Sequence, residues 1–312
     1  MADRLATRLE QTIRTPNIKW SILGRERPLH GKHSSLDEGS ASLWKPDKRC
    51  DMTPETSREA ARAIADARRN QTLLAKLPTE LTPETLEDGY AIQRDFMEIW
   101  PERLIGWKVG ATAEKVQEIY GLSEPFFGPL YDGTVFHSPA AAKAERFGHL
   151  CIESEFAFRF GRDLPVRDEP YRLAEILDAI DVVIPVMELI SPRFETLLTD
   201  AAPLAVADCG INGGLVLGTL ETAWRDINIP AHPVRFSVDG QLREEGTGAR
   251  VLGDPFNVLE WTVKALARHG LSLSAGQLIS TGTCTGFHYV DRGQLAVADF
   301  GSLGEVSVLF AS

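Results

Sequence analysis

Three glutamates carry most of the chemistry legible in this chain. Glu153 and Glu155 stand one residue apart in "CIESEFAFRF" (151–160), whose alternation predicts a strand. Ile152, Phe156, Phe158 and Phe160 share one face with Ser154, while the two acids share the other with Ala157. At about 3.3 Å rise per residue the acidic Cα atoms lie roughly 7 Å apart. Like charges that close disfavour each other unless something positive sits between them. The third acid, Glu188, lies inside the apolar run "VVIPVMELI", where a lone ionised carboxylate is costly unless paired. Singly, each has an ordinary reading: a solvated strand face for the pair, and for Glu188 a partner such as Arg193 or an outward-pointing strand end. Together they suggest a divalent cation. Oxygen-only ligands, with no His or Cys at ligand spacing, favour Mg²⁺ or Mn²⁺ over zinc.

Other residues are more ambiguous. Lys108, inside the short apolar segment 105–109, must either reach solvent or meet an anion. Asp132-Gly133 is an ordinary turn dipeptide. The glycine-rich "STGTCTG" reads as a tight turn, or as a backbone cradle in which Thr283 and neighbouring N–H groups hold a carboxylate. Cys284 invites a nucleophile reading, but no histidine is placed to activate it, His288 following too closely along the same run.

The elements that must position these residues are helical early and stranded late. "MTPETSREAARAIADARR" opens with Thr53 as N-cap and Pro54 at the first helical position. A second Thr-Pro-Glu start at 82–84 predicts another helix. A short strand ("LIGWKVG") and a short helix follow, then the turn at 132–133, the glutamate strand, a helix within "YRLAEILDAI", and the buried strand holding Glu188. Beyond 210 the chain is strand-and-turn material, interrupted by one helix that Asp254 caps and Gly270 ends. This is an α+β pattern without βαβ alternation or internal repeats. Residues 1–51, rich in Gly, Ser, Pro and basic residues, read as a low-order extension, with Met52 a simpler start. Arg4, Arg8 and Arg14 are spaced as in a transit peptide, but Asp3 and Glu10 weigh against one.

The bulk numbers exclude some classes. A chain of 312 residues accommodates one large or two ordinary domains. A formal net charge of −11 argues against general nucleic-acid binding. No apolar run approaches the roughly 20 residues of a membrane span. Four scattered cysteines suggest neither a zinc site nor a disulfide framework, and point to reduced thiols in the cytoplasm.

"GWKVG", "FGPLYDG", "IESEFAF", "VIPVMELI", "ADCGINGGLVLG" and "GQLISTGTCTG" resemble, in order and spacing, the 2-keto-4-pentenoate hydratases of the fumarylacetoacetate hydrolase superfamily. The resemblance runs from about residue 53 to the C-terminus. It implies a mixed β-roll catalytic domain (131–312) preceded by a small helical part (52–130). It also implies Mg²⁺ or Mn²⁺ on Glu153, Glu155 and Glu188, Lys108 beside a metal-bound 2-oxo acid, Asp132 at the site mouth as a proton carrier, and Asp208 and Thr283 reading substrate. Glu at 188, where the hydrolase branches usually carry Asp, leans toward the hydratases and their decarboxylase relatives. Cys209 stands where the hydratases commonly have Asn, Ile211 where they have a more polar residue, and "GTCTG" replaces their Gly-Ser-aromatic-Thr form. The implied activity is hydration of a 2-hydroxy-2,4-dienoate by a homo-oligomer acting on a small-molecule 2-oxo acid. A 2-oxo-acid decarboxylase, a C–C bond hydrolase and a catalytically idle metal-binding partner of an active paralogue stay open.

Overall fold

In α1 (Pro54–Asn70), Thr53 accepts a hydrogen bond from the Thr56 N–H (3.2 Å), and Pro54 takes a position where no N–H is needed. Ala60, Ala61, Ile64 and Ala65 turn inward toward α2 (Leu86–Ile99). The second helix starts later than the Thr-Pro-Glu signal at 82–84 suggests. Thr85 accepts from the Asp88 N–H (3.1 Å), and the Asp88 carboxylate accepts from the Thr85 N–H (3.0 Å). Thr82 has no acid three residues on, so the reciprocal cap forms at Thr85 instead.

The computed structural model describes residues 52–198 and 201–311. The extension expected at 1–51 lies outside the described residues. After the two helices come β1 (Leu104–Gly110), α3 (Glu114–Tyr120), β2 (Phe126–Tyr131), β3 (Val135–His137), β4 (Ala140–Lys143), β5 (Cys151–Phe160), α4 (Leu173–Ala179) and β6 (Ile180–Ile190). Then follow α5 (Ala202–Ala207), β7 (Asn212–Leu217), β8 (Pro233–Val238), β9 (Gln241–Thr247), α6 (Pro255–Arg268), β10 (Leu278–Thr283), β11 (His288–Tyr289), β12 (Leu295–Asp299) and β13 (Glu305–Ala311).

These strands make two mixed sheets. One runs β2-β1-β10-β5-β6-β7-β3 with β11 also on β5; the other runs β4-β13-β12-β8-β9. The α+β expectation holds. The expected boundary after residue 130, however, falls inside the first sheet. β1 precedes it and β2 (Phe126–Tyr131) spans it, and β1 pairs in parallel with β10 and so lies between β2 and β10. A buried strand needs ladder partners on both sides, and β1 finds one of them some 170 residues downstream. The described residues accordingly form one compact unit.

The phenylalanine face of β5 supplies the core. Phe156, Phe158 and Phe160 pack in one cluster with Phe236 and Phe310 of the second sheet and Val258 and Leu259 of α6. The opposite face of β5 is thereby left for its acids. Among the described residues no helix is long and apolar enough to cross a membrane.

Candidate active site

Antiparallel pairing of β5 with β6 sets Glu153 directly opposite Glu188. Strand alternation keeps Glu155 on that same face. One carboxylate oxygen from each of the three lies within 4.8 Å of the others. Glu155 and Glu188 are fully buried and Glu153 partly so. On the other side of β5, β10 brings Ser280 into register, and β1 places Lys108 opposite Ser280. Lys108 therefore reaches the acids across two ladders, with Nζ 3.2 Å from Glu188 Oε2.

Further donors hold the acids in place. The Ser280 hydroxyl donates a short hydrogen bond to Glu155 Oε2, and the Gly282 N–H donates to the same oxygen (3.0 Å). Gly282 has φ +96°, and a Cβ there would sit 2.1 Å from Thr112 Oγ1, so only glycine allows this approach. Asn212 Nδ2 donates to Glu188 Oε1 (2.8 Å). Glu155 Oε1 is buried without a hydrogen-bond partner among the described residues.

The electrostatics show a site with too much negative charge for one lysine. Burial works against the Lys108 ammonium, yet Glu188, Glu153 and Glu155 outweigh it and raise its pKa. Burial pushes the Glu153 carboxyl up to about 7, with Lys108 opposing and Glu188 adding to the rise. Glu155 is held well above the usual carboxylate range by burial, then by Glu188 and Glu153. A hard divalent cation on these oxygens would resolve both the repulsion and the unpartnered Oε1, so the residues present fit Mg²⁺ or Mn²⁺.

The other candidates fall into place differently. The ordinary reading of Glu188 as a partner of Arg193 is not what forms: Arg193 donates to Ser191 O (3.0 Å) and Oγ (2.7 Å), and Lys108 takes Glu188. Thr283 stands opposite Glu155 in the ladder, but its hydroxyl donates to Gly286 O (3.0 Å) within the turn. Asp208 is fully buried and accepts from the Arg193 N–H (2.6 Å) and Arg68 Nη2 (3.4 Å). It is linked toward the acid cluster through Arg68, which also donates to Asn212 O (2.9 Å). Asp132 begins an exposed turn, where Arg103 donates to it from N and Nε (both 3.2 Å). No hydrogen bond joins it to the acid cluster among the described residues. Cys284 is fully buried; burial, then Glu155, pushes its thiol far up, which removes it as a nucleophile.

Sequence reading missed Ser280 and Asn212, although both lie in motifs quoted above. For Ser280 a signal existed: in "LISTGT" alternation places Ser280 and Gly282 on one face of a strand. For Asn212 there was none, because its role depends on the turn before it. Cys209, Gly210 and Ile211 have φ of +55°, +66° and +59°, three successive left-handed residues. A Cβ on Gly210 would lie 2.9 Å from Lys108 Cδ, so this turn packs against the lysine stem. The departures from the hydratase pattern at 209 and 211 thus fall beside Lys108.

A curled mixed sheet with a second sheet behind it, N-terminal helices and three convergent carboxylates defines the fumarylacetoacetate hydrolase fold. The family model for the fumarylacetoacetate hydrolase C-terminal domain matches residues 130–309, and the chain belongs to that family. Among its relatives, the 2-keto-4-pentenoate hydratase of Paraburkholderia xenovorans (strain LB400) is 29% identical over 264 residues, covering 84% of this chain and 97% of that protein. The 2-oxo-hept-4-ene-1,7-dioate hydratase of Escherichia coli is 28% identical, covering 80% of this chain and 96% of its own length. The 4-oxalocrotonate decarboxylase of Pseudomonas putida G7, solved with magnesium and adipate, superposes with a TM-score of 0.77 at 25% identity, covering 84% of this chain and 99% of that one.

Proposed function

We propose that this protein is a divalent-metal-dependent hydratase of 2-hydroxy-2,4-dienoates, giving 4-hydroxy-2-oxo acids. The observation that carries the reading is the convergence of Glu153, Glu155 and Glu188 within 4.8 Å beside a buried lysine. Similarity to hydratases over most of the chain supports it.

Glu153, Glu155 and Glu188 would hold Mg²⁺ or Mn²⁺. When bound, the cation supplies Lewis acidity and a chelation point for the substrate's carboxylate and 2-oxygen. Ser280 and Gly282 fix Glu155, and Asn212 fixes Glu188. Lys108, already charged and dry, stabilises negative charge as it develops on the substrate oxygen. The reaction moves the enol proton off oxygen and places one on the terminal diene carbon. Water then adds across the remaining conjugated double bond, hydroxyl at C4 and proton at C3. Asp132 is the proposed proton carrier, with Thr283 at the carboxylate end of the substrate and Asp208 acting through Arg68 and Asn212.

Two expected results follow from these roles. Asn212→Ala and Ser280→Ala, which leave all three carboxylates in place, should weaken Mg²⁺ binding by about 10- to 100-fold, the usual effect of an orienting partner. Titration calorimetry reads this directly. Asp132→Asn should slow conversion at unchanged metal occupancy; an undiminished rate assigns the proton to another group.

A decarboxylase reading has one observation in its favour, the fold match to 4-oxalocrotonate decarboxylase. Decarboxylation needs a second carboxylate on the substrate, and hydration does not. A 2-hydroxydienoate with a single carboxylate should therefore be consumed without carbon dioxide release, followed by ultraviolet absorbance and product analysis. If only a 2-oxo-3-enedioate reacts, with carbon dioxide in equal amount, the hydratase reading fails.

A further inference from the structure

Near the C-terminal ends of α1 and α2 lies a cavity of about 250 Å³. Arg68, Arg69, Arg146 and Arg193 line it, together with Trp100 and Asn212. Neither the three glutamates nor Lys108 borders it, so it is separate from the acid cluster. Two of its arginines are built into the protein interior. The Arg68 side chain is 9% exposed and Arg193 5%. In each, Nε is buried without a hydrogen-bond partner among the described residues.

The counter-charge is thin. Asp208 is the buried acid of the group, and it is engaged by both Arg68 and the Arg193 backbone N–H. Glu102 also borders the cavity, but its carboxylate accepts from the Trp100 indole N–H (3.3 Å). Asp66 pairs with the exposed Arg69 (2.5 Å). Arg193 thus sits in a buried setting where Arg68 and Arg146 act on it as like charges; burial and these neighbours lower its pKa against the pull of Asp208. Guanidinium forks held dry, with unanswered N–H donors, are complementary to a planar or tetrahedral oxyanion.

We infer that this cavity binds a small oxyanion, a carboxylate or a phosphate, with Arg68 and Arg193 as interior donors and Arg146 and Arg69 closing on it. The site touches the acid cluster through one residue. Arg68 holds the Asn212 carbonyl while the Asn212 amide holds Glu188, so an anion on Arg68 bears on how Glu188 is oriented.

The full chain, with Mg²⁺ present and ionic strength held constant, is titrated with phosphate, with succinate and with chloride, read by calorimetry and melting temperature. Saturable binding of phosphate or succinate but not chloride is expected, and the arm that responds names the group. Arg146→Glu, at a partly exposed position, should weaken that binding by about tenfold or more, the loss of one charge-assisted hydrogen bond. Glu188→Gln, whose amide oxygen can still accept from Asn212, should still bind the anion saturably, because the anion does not sit on the metal. No saturable binding of either oxyanion, binding undiminished by Arg146→Glu, or binding lost in Glu188→Gln would overturn the assignment.

Discussion

Replacing Lys108 with alanine is expected to lower turnover by about 10²-fold or more, the typical loss for one donor aimed at developing charge. The lysine is 2% exposed and its ammonium lies 3.2 Å from Glu188, so no water can substitute without rearrangement. Metal affinity should behave differently. Lys108 and a divalent cation both draw on Glu188, so the alanine protein should bind Mg²⁺ at least as tightly as the parent. Without metal, that variant keeps three buried acids and no cation, and it should melt earlier; added Mg²⁺ should restore the loss. Steady-state kinetics and metal titration on one preparation check both halves. A near-normal rate would reduce Lys108 to a structural counter-ion.

Removing the metal should abolish turnover, and Mg²⁺ or Mn²⁺ should restore it. Glu188→Gln should weaken metal binding by more than the roughly 10- to 100-fold of an orienting residue, because a ligand charge is lost outright. The variant should nonetheless stay folded, since it removes one of three mutually repelling acids. At about 100 times the dissociation constant, a bound cation adds about 2.7 kcal/mol of stability, which gives the parent a melting shift that Glu188→Gln lacks. Full activity in rigorously chelated buffer would sink the metal-dependent reading.

How much of this was readable beforehand depends on the range of each interaction. Period-two alternation in 151–160 was local, and it assigned Glu153 and Glu155 to one face and the phenylalanines to the core, as observed. The helix caps at Thr53 and Asp254 were equally local; the one at Thr85 was misplaced because two threonines compete and only an acid three residues on decides. Ladder partners are not local. Nothing near Lys108 says that β10 will lie beside β1, so its partner was left open between solvent and an anion. The same distance hid the part of Ser280 and blurred the domain boundary. Asp208 lies in a motif expected to read substrate, and its carboxylate accepts from Arg68 and the Arg193 N–H, partners that are distant in sequence and that no local pattern announces.

For anyone redesigning this protein, the left-handed turn at 209–211 is a mould more than a hinge. Outside glycine this conformation costs roughly 1–2 kcal/mol per residue, and Cys209 and Ile211 both adopt it. Gly210 admits no side chain, because the lysine stem occupies the space. Random libraries across this loop would therefore return mostly unfolded or misaligned protein. Selection should leave position 210 unvaried and enrich glycine, or asparagine where its amide finds partners, on either side. New substrate preferences are better sought on strands whose backbone carries no such strain.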